Sequence, residues 1–115
     1  MIELHELIED YAVDVDSPEV SGFEHLEMLD RRSEIARREM ELSDDDRRLL
    51  EDTDRLFFRR AEVFYKVISE IADLAEMRGR VRPMPSHWWW YLDELVESFG
   101  RAASSRRVAV ASATV

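Results

Sequence analysis

Residues 43–78 read SDDDRRLLEDTDRLFFRRAEVFYKVISEIADLAEMR, and this stretch decides the fold. Ser43 is a good N-cap, Asp44 to Asp46 set negative charge against the first-turn amides, and neither Gly nor Pro intervenes before Gly79. The pattern predicts one long helix from Ser43 to Arg78. Leu50, Phe57, Ala61, Phe64, Ile68, Ile71 and Ala75 fall on one line, stepping alternately by four and three residues after Phe57 as in a coiled-coil seam. Leu49, Leu56, Val63, Val67 and Leu74 run along one side of that line, and Phe58, Tyr65 and Ala72 along the other. The apolar arc exceeds half the circumference, so more than one neighbour must cover it. Glu51, Asp52, Arg55, Arg59, Glu62, Lys66, Glu70 and Asp73 form the water side. Arg60 interrupts the apolar lines; its expected role is structural, extending its head outward or meeting a carboxylate of a neighbouring helix.

Upstream, Ile2 to Val13 forms a short amphipathic helix with Leu4, Leu7, Ile8 and Tyr11 on one face. Ser17-Pro18 marks a loop, and Ser21-Gly22-Phe23-Glu24 is a capping box that opens a second helix running to about Glu41. Its main stripe is Leu26, Leu29, Ser33, Ala36 and Met40, small in the middle, while Met28, Ile35 and Leu42 make a second apolar line on the reverse side. The tight link to Ser43 folds this helix back on the long one as an α-hairpin. Downstream, Arg80-Val81-Arg82-Pro83-Met84-Pro85 is a loop, Ser86 caps a helix from His87 to Phe99, and Gly100 stops it. Trp88, Tyr91, Leu92, Leu95, Val96 and Phe99 define that helix's buried face, with Trp89 at the edge and Trp90 on the polar side. The expected architecture is all-α: a small bundle built on a long antiparallel α-hairpin with two shorter flanking helices. Residues 1–100 form the domain and 101–115 a tail, in which Val108 to Ala111 would either pair as strands across a two-fold dimer or continue as helix.

Composition narrows the function. The 115 residues, 45% of them apolar, suffice for one core. There is no cysteine, which excludes disulfides and thiolate metal sites, and no apolar run reaches the ~20 residues of a membrane span. Met1 to Tyr11 carries Glu3, Glu6, Glu9 and Asp10, unlike a signal peptide, so a cytoplasmic location is expected. Eleven Asp and fifteen Glu face fifteen Arg and one Lys, a net charge of −10. This balance resembles that of proteins from salt-in halophiles, the haloarchaea above all, whose carboxylates hold hydration at high salt; most acidic residues then read as surface. Residues 1–54 carry 19 acids and 6 Arg, whereas residues 55–115 carry 7 acids and 10 bases, so the halves should attract each other on folding.

Motif chemistry is sparse. His5 with Glu9 has helical ligand spacing, but two groups make no metal site, and His25 between Glu24 and Glu27 reads as a solvated helix start. No glycine-rich phosphate loop and no nucleophile with a His and carboxylate stand out, so no cofactor and no metal are expected. One arrangement does suggest chemistry. Arg82 and His87, four residues apart at the mouth of a helix in an acidic bundle, are similar to the Arg, four to six residues, His pattern of the HEPN ribonucleases. That resemblance implies a motif assembled across a dimer, with Arg82 holding the scissile phosphate and His87 assisting proton transfer. Arg78, Arg80, Arg82, Arg101, Arg106 and Arg107 near the tryptophans would also suit a single-stranded nucleic acid, but the net charge of −10 opposes nucleic acid as a partner.

The reading that fits most residues is non-enzymatic: an adaptor-like or regulatory homodimer acting through protein contacts, its partner unidentified by sequence, with no membrane association. Trp90 on a polar face and the two-faced helices motivate it. The expected interaction surface is Arg78, Arg80, Arg82, Trp89 and Trp90.

Overall fold

The computed structural model describes the backbone of residues 2–113 and the side chains of residues 2–102. Within them the chain is all-helical: α1 (Leu4–Asp16), α2 (Gly22–Arg37), a 3-10 turn (Glu39–Glu41), α3 (Asp44–Arg59), α4 (Ala61–Ser69), α5 (Leu74–Val81), a second 3-10 turn (Trp88–Tyr91) and α6 (Leu92–Ala113). The first helix forms as its pattern requires, with Leu4, Leu7, Ile8 and Tyr11 buried, and it gains one more core residue, Val15. Ser21 and Ser43 cap α2 and α3 as expected, each hydroxyl accepting from the amide three residues on.

The long helix is three helices. The seam holds from Leu50 through Phe57, Ala61, Phe64 and Ile68, all buried, and then ends: Ile71 and Ala75 are exposed. Two local forces divide it. At Arg60 the backbone turns to φ −96° and ψ 11°, and the guanidinium donates to the Val15 carbonyl at 2.9 Å, satisfying the C-terminal end of α1. At Asp73 the carboxylate accepts from the Ala75 and Glu76 amides at 3.0 and 3.3 Å, so a residue read as part of a water face caps a new helix instead. The arginine at the first break therefore has the structural role expected of it, but toward a carbonyl and not a carboxylate.

These breaks replace the expected hairpin. Instead of lying along one long partner, α2 packs against α4, while α1 packs against both α2 and α3; α4 also contacts α6. Gly22 explains the closeness of α2 and α4. A Cβ there would stand 2.7 Å from a side-chain carbon of Ile71 and 2.8 Å from the Val67 carbonyl. The two apolar lines of α2 are both covered within the chain, since Leu29 and Ser33 on one and Met28 and Ile35 on the other are buried. Met40, placed in the main stripe, is 98% exposed, because α2 ends at Arg37 and the 3-10 turn changes the register.

Neither Gly79 nor Gly100 stops a helix. Gly79 lies inside α5, whose last turn closes on Arg82 in the left-handed region at φ 51°, a conformation usually given to glycine. Gly100 lies inside α6, which continues through 101–113 as helix; of the two forms expected for the tail, the strand is overturned for Val108 to Ala111. The expected attraction between the acidic and basic halves is not built from direct pairs. Among the described residues, ion pairs stay within each half apart from the local Arg55–Asp52 contact. No described helix is long and apolar enough to cross a membrane.

Candidate functional site

The second 3-10 turn and Ser33 organise the centre of the molecule. Trp89 and Trp90 are 2% and 1% exposed, and both indole N–H groups donate to Ser33 Oγ, at 2.9 and 3.0 Å. His87 Nδ1 lies 3.1 Å from the same oxygen. A serine hydroxyl has two lone pairs and one hydrogen, and indole can only donate. The two tryptophans fill both lone pairs, so the hydroxyl hydrogen must go to His87 Nδ1. This fixes the imidazole as neutral, with its proton on Nε2. Burial, then the charges of Arg32 and Arg37, hold His87 below the usual histidine value, in agreement with that assignment.

Three further side chains complete the cluster. Arg32 donates from Nε and Nη2 to the two carboxylate oxygens of Asp54, both at 2.9 Å, and Tyr11 donates its hydroxyl to Asp54 Oδ1 at 2.6 Å. Burial and then the Asp54 charge raise the Tyr11 phenol, so it remains a donor. Arg32 Nη1 is buried with no oxygen partner. Its guanidinium carbon stands 4.2 Å from the centre of the Trp89 ring, so the π face takes the place of an acceptor. His87 stacks on the same ring at 4.6 Å, with 23° between the planes.

The outer side of this turn is different. Trp88 is half-buried and separates two clefts of about 360 and 330 Å³. One is lined by Pro85, Tyr91, Glu94 and Leu95, the other by Asp54, Arg55, Phe58 and Arg59. Phe58, 43% exposed, meets Trp88 edge-on at 5.9 Å and Phe99 at 5.2 Å. Trp88 also leans on buried Phe57 at 5.2 Å.

The surface expected from sequence is not where the tryptophans are. Trp89 and Trp90 belong to the core. The α-helical wheel placed Trp90 on the polar side, but a 3-10 turn has three residues per turn, so that angular position does not apply. Arg78 is mostly covered, holding Asp93 through two contacts of 2.5 and 3.0 Å and donating to the Trp90 carbonyl at 2.9 Å. The hydrogen bond it donates to Asp93, joined by that carboxylate's charge, raises the guanidinium further. Arg80 is exposed and paired with Glu76. Arg82 is exposed and lines a cleft of about 150 Å³ together with Arg37 and His87. The structure thus brings Arg82 and His87 to one cleft, with the imidazole 6% exposed and one nitrogen committed to Ser33.

The other histidines also depart from expectation. His25 is fully buried instead of solvated; its Nε2 donates to the Pro18 carbonyl at 2.9 Å, and its ring packs edge-on against Phe64 at 4.6 Å. His5 joins α1 to the start of α3 by contacting Glu9 at 2.7 Å and Asp46 at 2.6 Å. The Asp46 hydrogen bond, then the Glu9 charge, raise its pKa. Sequence reasoning missed Ser33, Arg32, Asp54 and Tyr11 as a connected group. The signal available was the number of indole donors in Trp88-Trp89-Trp90, which need buried acceptors, together with one serine inside an apolar stripe.

Compared with family models, with curated proteins and with solved structures, the chain matches none.

Proposed function

We propose that the protein is a non-catalytic interaction module that self-associates through its outward aromatic face, centred on Trp88 and Phe58. One observation carries the reading: Trp88 borders two open clefts whose edges differ in charge, one lined by Arg59, by Arg55 in its contact with Asp52 and by the Arg32-bound Asp54, the other by Glu94. A two-fold axis running between the clefts places each edge of one copy against the other edge of its mate, and this charge difference supports self-association. Exposed aromatic anchors with a charged rim are what such contacts use. The two-faced helices do not contribute, because their second faces are covered internally. The ribonuclease reading keeps the meeting of Arg82 and His87 at one cleft, but the near-complete burial and fixed hydrogen bond of His87 favour a structural role for that imidazole.

Light scattering of the full chain in molar potassium chloride tests the proposal. The natural sequence should run as a dimer, and Phe58→Asp, which puts a charge into the centre of the face, should halve the mass while leaving the helical circular dichroism intact. A monomer at all concentrations, or a folded Phe58→Asp protein that stays dimeric, contradicts it.

A further inference from the structure

The Ser33 cluster contains more order than packing demands, and its donors and acceptors balance in one protonation state only. With His87 neutral, every position on Ser33 Oγ is used: two indole N–H groups on two lone pairs, and one hydroxyl hydrogen on Nδ1. A proton arriving from solvent can bind only at Nδ1, since Nε2 already carries one. Nδ1–H then points at an oxygen whose lone pairs are both taken, and the hydroxyl hydrogen loses its acceptor. Three donors compete for two lone pairs.

We infer that His87 is a proton-operated latch: its protonation breaks the Ser33 hydrogen-bond set and frees at least one of Trp89 and Trp90, loosening the second 3-10 turn from α2. This stands apart from the self-association proposal, since it concerns the inner face of the turn. The groups around the imidazole frame the titration. From α2, Arg32 stacks near it on Trp89, with its charge balanced by Asp54 of α3, and Arg37 and Asp30 border the cleft on one side. Arg82, following α5, shares that cleft, and Glu39 of the first 3-10 turn lines a second cleft, of about 300 Å³, that His87 also borders. Arg32, Arg37 and Arg82 oppose a further positive charge, and Asp30 and Glu39 favour it. Burial adds to the opposition. With the folded-state value depressed, the unfolded chain takes up the proton first, so the stability that neutral His87 contributes is complete above about 6.5 and is lost as pH falls from there through the lower folded-state value.

The test is nuclear magnetic resonance of the full chain, following the three indole N–H signals and the His87 ring nitrogens between pH 8 and pH 4.5. At pH 8 His87 should be the Nε2–H tautomer. On acidification the Trp89 and Trp90 signals should move together with His87, at one midpoint below 6.5, while the Trp88 signal stays. In His87→Asn, whose side-chain oxygen keeps an acceptor close to the Nδ1 position but does not titrate, that shared midpoint should vanish. Three results overturn the inference: an Nδ1–H tautomer at pH 8, a His87 titration that leaves both indoles unmoved, or an indole transition that persists in His87→Asn because another group drives it. The first two are read on the natural sequence and hold even if the variant does not fold.

Discussion

The inner and outer faces of the turn Trp88–Tyr91 carry the same residue type and do opposite things. Inward, Trp89 and Trp90 have their indole N–H groups satisfied by one serine, the Trp89 ring meets Arg32 and His87, and both rings are buried in the core. Outward, the Trp88 indole N–H has no hydrogen-bond partner among the described residues, its backbone N–H alone donating to the Ser86 carbonyl, and the ring borders two open clefts. An indole becomes a core residue when its N–H finds a buried acceptor, and a contact residue when it does not. Apolar character alone cannot separate the two, because three consecutive tryptophans share it.

The sharpest way to break the comparison is truncation on each side. Trp90→Ala removes a fully buried ring and empties a lone pair on Ser33, and should cost about 3–5 kcal/mol of unfolding free energy. Trp88→Ala should cost less than half of that, roughly 1–2 kcal/mol by the same reasoning, because part of its surface already faces water. Denaturant titration of the two variants decides it; equal losses would mean that the faces are energetically alike. A smaller contrast of the same kind exists between two glycines. Gly22→Ala forces a methyl against the Val67 carbonyl and should destabilise by about 1–3 kcal/mol, the usual cost of overpacking. Gly79→Ala meets nothing within 4 Å inside α5 and should stabilise by roughly 0.5–1 kcal/mol through helix propensity and chain entropy. Thermal melts of the pair check both signs.

Much of the fold was legible because it rests on periodicity. The seam from Leu50 to Ile68, the face of α1 and the two serine caps all follow from spacing, and each lies where spacing places it. What was not legible is where a regular pattern gives way to a single side-chain contact. Arg60 bends the chain by reaching the Val15 carbonyl, 45 residues away, and no local signal announces such a partner. Asp73 did carry a local signal, since aspartate competes for backbone amides, but the apolar line running past it to Ala75 pointed the other way. The glycine signals failed for the opposite reason: Arg82 takes the left-handed position after α5, while Gly79 and Gly100 sit within helices.

The candidate site was legible only as a region. Sequence brought attention to the segment from Arg78 to Trp90 and to Trp among charged neighbours; in the structure Trp90 is buried and Trp88 half-buried, the reverse of their expected positions. The reversal follows from the 3-10 geometry and from Ser33, whose small side chain in the middle of α2 lets the turn approach and whose oxygen then holds it. A serine in an apolar stripe suggests close approach, but not which donors will arrive.

Hydrogen–deuterium exchange of the three indole N–H groups, resolved by tryptophan at neutral pH, tests the division between the two faces most directly. Trp88 should exchange rapidly, and Trp89 and Trp90 should exchange more slowly by a factor on the order of 10³ or more, since their release requires opening of a core that is stable by several kcal/mol. Exchange of Trp90 as fast as that of Trp88 would contradict the account and return Trp90 to the surface.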